Sequence, residues 1–250
     1  MRFIEYGKEN KDVIMLLHGG GLSWWNYREA AELLQDKFRV ILPILDGHTG
    51  SDADFTTIED NAERIISFIG ENFGGSVLLF GGLSLGGQIL LEILSLRPDI
   101  CSHAIVESPL VIPSKATYAM IEPAFGSCYG LIKYRWFSKL QFDSYHLKPE
   151  LFEDYYKDTC GISKENMISF LQANALYSAK DTLAKFEAKA CVFVGAKENS
   201  AMRKSARIIN ESFKNSELQI LPKAYHGQFS MNNADDYAKT VLEITGAKNN

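Results

Sequence analysis

Ser84 is the side chain of this sequence best placed by its neighbours to act as a nucleophile. It stands in Gly82-Leu83-Ser84-Leu85-Gly86, after the apolar run at 76–80 and before the apolar, helix-forming run at 88–94. Strand, sharp turn and helix are implied. A serine at the apex of such a turn has its hydroxyl lifted clear of the backbone, and the flanking glycines avoid a β-carbon that would strike the neighbouring strand or helix. The five-residue pattern arises often by chance, so its weight comes from that strand-turn-helix setting.

A serine hydroxyl attacks poorly at neutral pH unless a base takes its proton, and the base in turn needs a carboxylate to orient it. The chain has five histidines, His18, His48, His103, His146 and His226. His226 follows the last strand-like run, in Leu221-Pro222-Lys223-Ala224-Tyr225-His226-Gly227, where the carboxyl edge of a sheet must lie, and is the expected general base. His18-Gly19-Gly20-Gly21 directly follows another strand-like run. Such a turn can aim backbone N–H groups at a developing oxyanion, so Gly20 and Leu85, the latter at a helix N-terminus, are the expected oxyanion donors. The glycine turn lacks the lysine and Ser/Thr of a phosphate-binding loop and the spacing of a dinucleotide fingerprint.

The elements that must position these groups alternate. Short runs rich in β-branched and aromatic residues at 2–6, 13–17, 38–44, 76–80, 103–107, 190–195 and 217–221 predict strands. Segments at 25–36, 58–72, 85–96, 201–213 and 235–245 have helical spacing. This is the pattern of an α/β fold: a mostly parallel central sheet with helices on both faces, its chemistry at the carboxyl ends of the strands. The stretch 111–188 breaks the rhythm. It contains no convincing strand and is crowded with Tyr118, Phe125, Tyr129, Tyr134, Trp136, Phe137, Phe142, Tyr145, Phe152, Tyr155 and Tyr156. A helical cap insertion is expected there, over a core formed by 1–110 and 189–250. Most of these aromatics should form the cap's own core, with a few giving the cleft an apolar wall. Trp24 and Trp25 are expected either to line the pocket or to cover the adjacent helix.

At 250 residues the chain is long enough to bury a core without disulfides or metal. Its net charge is −5, its pI near 5.6, and its Lys and Arg residues are scattered, which argues against nucleic acid or an anionic membrane and for a small-molecule partner. Cys101, Cys128, Cys160 and Cys191 lie far apart without metal-ligand spacing and read as reduced thiols. The start has no signal-peptide pattern and no apolar run could span a bilayer, so a cytoplasmic location is expected. The tail 248–250 is expected to fray.

Together these residues resemble the α/β-hydrolase superfamily, in its capped, single-domain, esterase- or lipase-like serine-hydrolase form. His18-Gly19-Gly20-Gly21 is similar to its oxyanion turn, Asp46-Gly47-His48-Thr49-Gly50-Ser51 to its R-G-H-G-x-S loop, Ser84 to its elbow and His226 to its terminal histidine. The resemblance implies a sheet of eight strands, or slightly fewer if the first is missing, a cap inserted after strand six, and a triad in the order Ser, acid, His. Where the family places an aspartate beyond its seventh strand, this chain has Glu198, which becomes the expected orienting acid; Glu107, at the end of the sixth, is the competitor because some members place the acid there. Asp46 and His48 are expected to be structural. The implied function is cleavage of an ester, thioester or amide of a small, fairly apolar substrate through an acyl-enzyme on Ser84, without cofactor or metal. Alternatives are a lyase or C–C hydrolase on the same scaffold, or a non-catalytic ligand-binding or sensor protein. A menaquinone-pathway lyase branch has an arginine shortly after its elbow where this chain has Gln88, and Arg135 is the one arginine in the cap. The oligomeric state is not encoded in these patterns.

Overall fold

The computed structural model describes residues 1–247; the expected fraying of 248–250 falls outside them. Seven strands form one sheet: β1 (Phe3–Tyr6), β2 (Val13–Leu17), β3 (Arg39–Pro43), β4 (Val77–Leu83), β5 (Cys101–Glu107), β6 (Lys189–Gly195) and β7 (Ser216–Leu221), in the order β1-β3-β2-β4-β5-β6-β7. Among the described residues only β1 runs antiparallel, pairing Phe3 with Pro43 on β3. The sheet is thus one strand short of eight, and the helical insertion follows β5, the strand that ends at Glu107 and counts as the sixth when the missing first strand is included. Because β2 to β7 are parallel, the residues just beyond Leu17, Leu83, Glu107, Gly195 and Leu221 all emerge at one edge. β4 extends past the run expected at 76–80 because Gly81 and Gly82 continue it. A β-carbon on Gly81 would meet Leu16 and the Tyr237 hydroxyl at 2.6 Å, so these glycines serve close approach and are not breakers.

Helices α1 (Arg28–Leu34), α2 (Ile58–Asn72), α3 (Leu85–Leu96), α8 (Ser200–Ser212), α9 (Gln228–Asn232) and α10 (Ala234–Thr245) cover the sheet. α3 is buried from Leu85 to Leu94, which suits its nearly continuous apolar sequence. The helix expected from residue 25 begins at Arg28. The chain from Trp24 to Tyr27 forms a tighter 3₁₀ turn, tied down by the buried Asn26 side chain, which accepts the Gly19 N–H at 3.1 Å and donates to Ser230 Oγ at 3.1 Å. Short α9 has no counterpart in the expected elements.

The insertion contains α4 (Lys115–Cys128), α5 (Arg135–Ser144), α6 (Phe152–Gly161) and α7 (Lys164–Leu176). It is fastened to the core at both ends. From α3, Gln88 Nε2 donates to the carbonyls of Leu110 (2.6 Å) and Asn174 (3.1 Å), and Gln88 Oε1 accepts from Asn174 Nδ2 (3.0 Å). Midway along the insertion the His146 carbonyl accepts from Gln228 Nε2 (2.6 Å) and Asn232 Nδ2 (3.1 Å). Phe142 and Tyr155 are buried, as expected of a cap core, but Tyr134 and Trp136 are not; Trp136 is 65% exposed on the outer face of α5. The four cysteines are free thiols. Among the described residues no helix is long and apolar enough to cross a membrane.

The elbow depends on backbone-to-backbone contact. A β-carbon on Gly86 would lie 2.3 Å from the Leu17 carbonyl oxygen and 2.5 Å from that of His18. Neither atom can swing away as a side chain would. Gly86→Ala should therefore lose about 3 kcal/mol in urea unfolding. Gly70→Ala, on α2 where a β-carbon meets nothing, should gain about 0.5 to 1 kcal/mol by the same measurement.

Candidate active site

Ser84 occupies the turn between β4 and α3 with φ +53° and ψ −113°. Its N–H donates to the Glu107 carbonyl at 2.8 Å, which holds the turn against the neighbouring strand. The position is the N-cap of α3, and here the chain departs from its own habit. Thr57, Ser114, Ser163 and Asn199 each cap their helices with a side-chain acceptor, whereas Ser84 makes no capping bond. Its hydroxyl is left for other work, and the α3 N-terminus keeps unspent donors.

Across from it, the Gly19-Gly20-Gly21 turn is pinned at both flanks. Gly19 N–H donates to Asn26 Oδ1 and Gly21 N–H donates to His48 Nε2 at 3.1 Å. Between them the Gly20 N–H has no partner among the described residues, nor has that of Leu85. The two residues are neighbours: a β-carbon on Gly20 would touch Leu85 Cδ2 at 3.4 Å. His18 and His48 underpin this turn. His18 Nε2 accepts the Leu45 N–H (3.1 Å) and its Nδ1 faces the Gly19 carbonyl (2.9 Å); His48 Nδ1 faces the Asp46 carbonyl (3.0 Å). These partners assign both rings as neutral Nδ1–H tautomers. Burial, with His48 nearby, holds His18 well below the usual imidazole range, and burial brings His48 down to about 4. Asp46 pairs with Arg64 at 3.3 Å, away from Ser84.

His226 Nδ1 lies 2.7 Å from Glu198 Oε2. The other carboxylate oxygen, Oε1, accepts from Ser108 Oγ (2.6 Å) and from the Gly195 N–H (2.7 Å). Burial, the largest influence on Glu198, raises its pKa; the hydrogen bond and charge of His226, with Ser108 and Gly195, outweigh it and leave the carboxyl below its ordinary value. The side chain of Glu198 is 2% exposed and that of His226 39%, so the acid is sheltered while the ring opens to the cleft. Glu107 is used differently. It is fully buried and its Oε1 accepts the N–H groups of Phe229 (3.1 Å) and Ser230 (3.4 Å) at the start of α9. No hydrogen bond joins it to His226. Burial pushes it up to about 7, against hydrogen bonds from Ser230 and the attraction of His226.

Ser84 and His226 share a cavity of about 230 Å³ beneath the insertion, with no hydrogen bond between them; such contacts often tighten only when substrate is bound. Its walls include Leu22, Leu83, Met167, Phe170 and, among the aromatics of the cap, Phe125, Tyr145 and Tyr155. Neither tryptophan lines it. Trp25 is buried with its indole N–H on Asp158 (2.8 Å), and Trp24 lies under the Arg28 guanidinium. Arg135 ion-pairs with Glu153 at the surface and does not face the cleft. Asn26 and Ser108 were missed by sequence reasoning; the signal for Ser108 was its place directly after a strand end, and Asn26 had none. Phe170, stacked on His48 at 4.8 Å, was likewise hidden in an ordinary helical run. Among the described residues no group of three or more His, Cys, Asp or Glu side chains is placed to hold a metal ion.

Residues 14–240 match the model of the alpha/beta hydrolase family. No curated protein matches the sequence. The structure is similar to a thermophilic esterase from Thermogutta terrifontis, at 18% identity and TM-score 0.80, covering 97% of this chain and 91% of that one. It is also similar to the enol-lactonase from Burkholderia xenovorans, at 17% identity and TM-score 0.82, with 97% and 95% covered. A third likeness is to the meta-cleavage product hydrolase from Pseudomonas fluorescens, at 14% identity and TM-score 0.77, with 99% and 94% covered. At these identities the likeness is one of fold.

The environment of Glu107 predicts a pH dependence of stability. The unfolded chain releases this proton near its ordinary value of 4.5, whereas the folded protein keeps it to about 7. Protonation therefore favours the folded state, and the contribution falls as pH rises from about 4.5 through about 7, by on the order of 3 kcal/mol. Urea unfolding of wild type and Glu107→Gln at pH 5, 6, 7 and 8 should show the variant gaining on the wild type by about that amount; a constant difference would contradict it.

Proposed function

Because the chain belongs to the alpha/beta hydrolase family, we propose that it is a serine hydrolase, cleaving an ester, thioester or amide of a small, fairly apolar substrate. The observation that carries this is the 2.7 Å contact between His226 Nδ1 and a Glu198 carboxylate whose other oxygen is already occupied. That arrangement fixes the Nδ1–H tautomer, leaving Nε2 to take a proton. In the proposed reaction Ser84 Oγ attacks the carbonyl carbon while His226 Nε2 receives the hydroxyl proton. The negative charge that develops on the carbonyl oxygen is met by the N–H groups of Gly20 and Leu85, and losing one such donor typically costs about 3 kcal/mol of transition-state stabilisation. His226 then returns the proton to the leaving group, and water, activated by the same ring, hydrolyses the acyl-Ser84 bond. Glu198 stays ionised throughout and stabilises the imidazolium. No step calls for a metal or organic cofactor. An ester or thioester asks less of the leaving-group acid than an amide does.

A lyase or C–C hydrolase working on an anionic substrate would call for cationic side chains in the cleft. Among the described residues, no Lys or Arg lines the cavity. This favours the neutral acyl substrate.

Intact-mass analysis after exposure to a fluorophosphonate tests the mechanism. A single adduct is expected on the wild type, absent from Ser84→Ala and His226→Ala, and Glu198→Gln should lower kcat on a labile ester by about 10⁴-fold if the wrong tautomer results. Undiminished labelling or turnover by folded Ser84→Ala would remove Ser84 from the mechanism.

A further inference from the structure

The space around Ser84 and His226 has two lobes, which differ in the polar side chains they offer. One is the apolar cavity already described, whose wall includes the Gly19-Gly20-Gly21 turn. The other opens on the acid side. Ser84, His226 and Glu198 border it; Ser144, Asn174, Asn199, Tyr225 and Tyr145 add polar groups, and Leu110 and Met202 add apolar surface. Gly20, one of the two proposed oxyanion donors, lines the first side, so the acyl chain and its carbonyl oxygen belong there, whereas the group that leaves must sit where His226 can protonate it. The second lobe is thus the place for the leaving alcohol.

Its chemistry narrows that alcohol. Among the described residues, no Lys or Arg lines this lobe, and its only carboxylate, Glu198, is spent on His226, Ser108 and Gly195. A phosphate or carboxylate on the leaving group would find no cation, and an ammonium no free acid. What remains is a mixture of neutral donors and acceptors. Asn199 uses Oδ1 to accept the Met202 N–H and has Nδ2 to spare; Asn174 donates Nδ2 to Gln88 and has Oδ1 to spare. Ser144 Oγ donates to the Gln141 carbonyl and can still accept, and the Tyr225 hydroxyl has no partner among the described residues. Hydroxyl groups both donate and accept and match such a set where an ion would not, while the carbon skeleton that bears them can rest on Leu110, Met202 and the Tyr145 ring.

We infer that the second lobe binds an uncharged, polyhydroxylated leaving group, so that the substrate is an apolar acyl ester of a small polyol or sugar. This rests on the serine-hydrolase reading above. The experiment compares kcat/KM for the butanoyl esters of glycerol, glucose and ethanol, which share an acyl group, in the wild type and in a Ser144→Ala/Tyr225→Phe double variant. Both changes are conservative and at exposed positions, and phenylalanine retains the ring that lies 4.1 Å from that of His146. At least one polyol ester should exceed the ethyl ester by roughly tenfold, the gain of one or two hydrogen bonds, and the double variant should bring that ratio to within about twofold of parity. The glycerol and glucose arms separate an acylglycerol from an acyl sugar. Equal or better cleavage of the ethyl ester, or a double variant that slows all three equally, overturns the inference while a fluorophosphonate adduct on Ser84 leaves the hydrolase reading standing. No turnover of any ester together with no adduct overturns both.

Discussion

Everything at this site depends on holding one L-residue where L-residues rarely stay. Ser84 has φ +53°, and such a conformation persists only when its surroundings leave no alternative. Those surroundings are specific. The Ser84 N–H is taken by the Glu107 carbonyl, Gly82 lies against the Gly86 backbone, and Gly86 lies against the carbonyls at the end of β2. The sheet edge and the buried helix α3 therefore meet through main-chain atoms, which have no rotamers to relax into. The serine is not offered a side-chain capping role, and the two N–H groups nearest it stay unspent.

A second level of organisation comes from two buried glutamates about the same histidine loop. Glu198 is surrounded by donors on both oxygens and stays ionised; Glu107 has one oxygen on the α9 backbone and the other unpartnered, and holds its proton to about 7. Burial acts on both, and the number of donors decides between them. Glu107 also closes a chain of contacts that runs from Gly19 N–H through Asn26 and Ser230 to its own carboxyl, joining the Gly19-Gly20-Gly21 turn to the loop that carries His226. The order of that chain explains why a polar side chain such as Asn26 is buried in a 3₁₀ turn.

Much of this was legible in the sequence. The elbow announces itself because its glycines, its serine and the apolar runs on either side all have the same geometric cause, and His226 because one strand end sits at the required edge. The sequence could not separate Glu198 from Glu107: both stand at strand ends on that edge, and what distinguishes them is chiefly two partners from distant residues, Ser108 and His226. Glycines in β4 read as an early strand end because their purpose, contact with Leu16 and Tyr237, is tertiary. Tryptophan identity says that Trp24 and Trp25 are large, but only Asp158 and Arg28 determine where they go. In the cap, helical periodicity shows which residues share a face without showing which face meets the cleft.

The insertion is tied to the core through the segments that carry Ser84 and His226. Gln88, one turn beyond Ser84, grips it at Leu110 and Asn174, and Gln228 and Asn232, just beyond His226, grip it at the His146 carbonyl. The lid is accordingly no interchangeable cassette. A lid grafted from another protein would have to present carbonyl oxygens at the same two places, or it would leave Gln88 buried without its acceptors and the histidine loop without its brace. New substrate ranges are more accessible to this protein by exchanging side chains within its own cap than by replacing the cap as a unit.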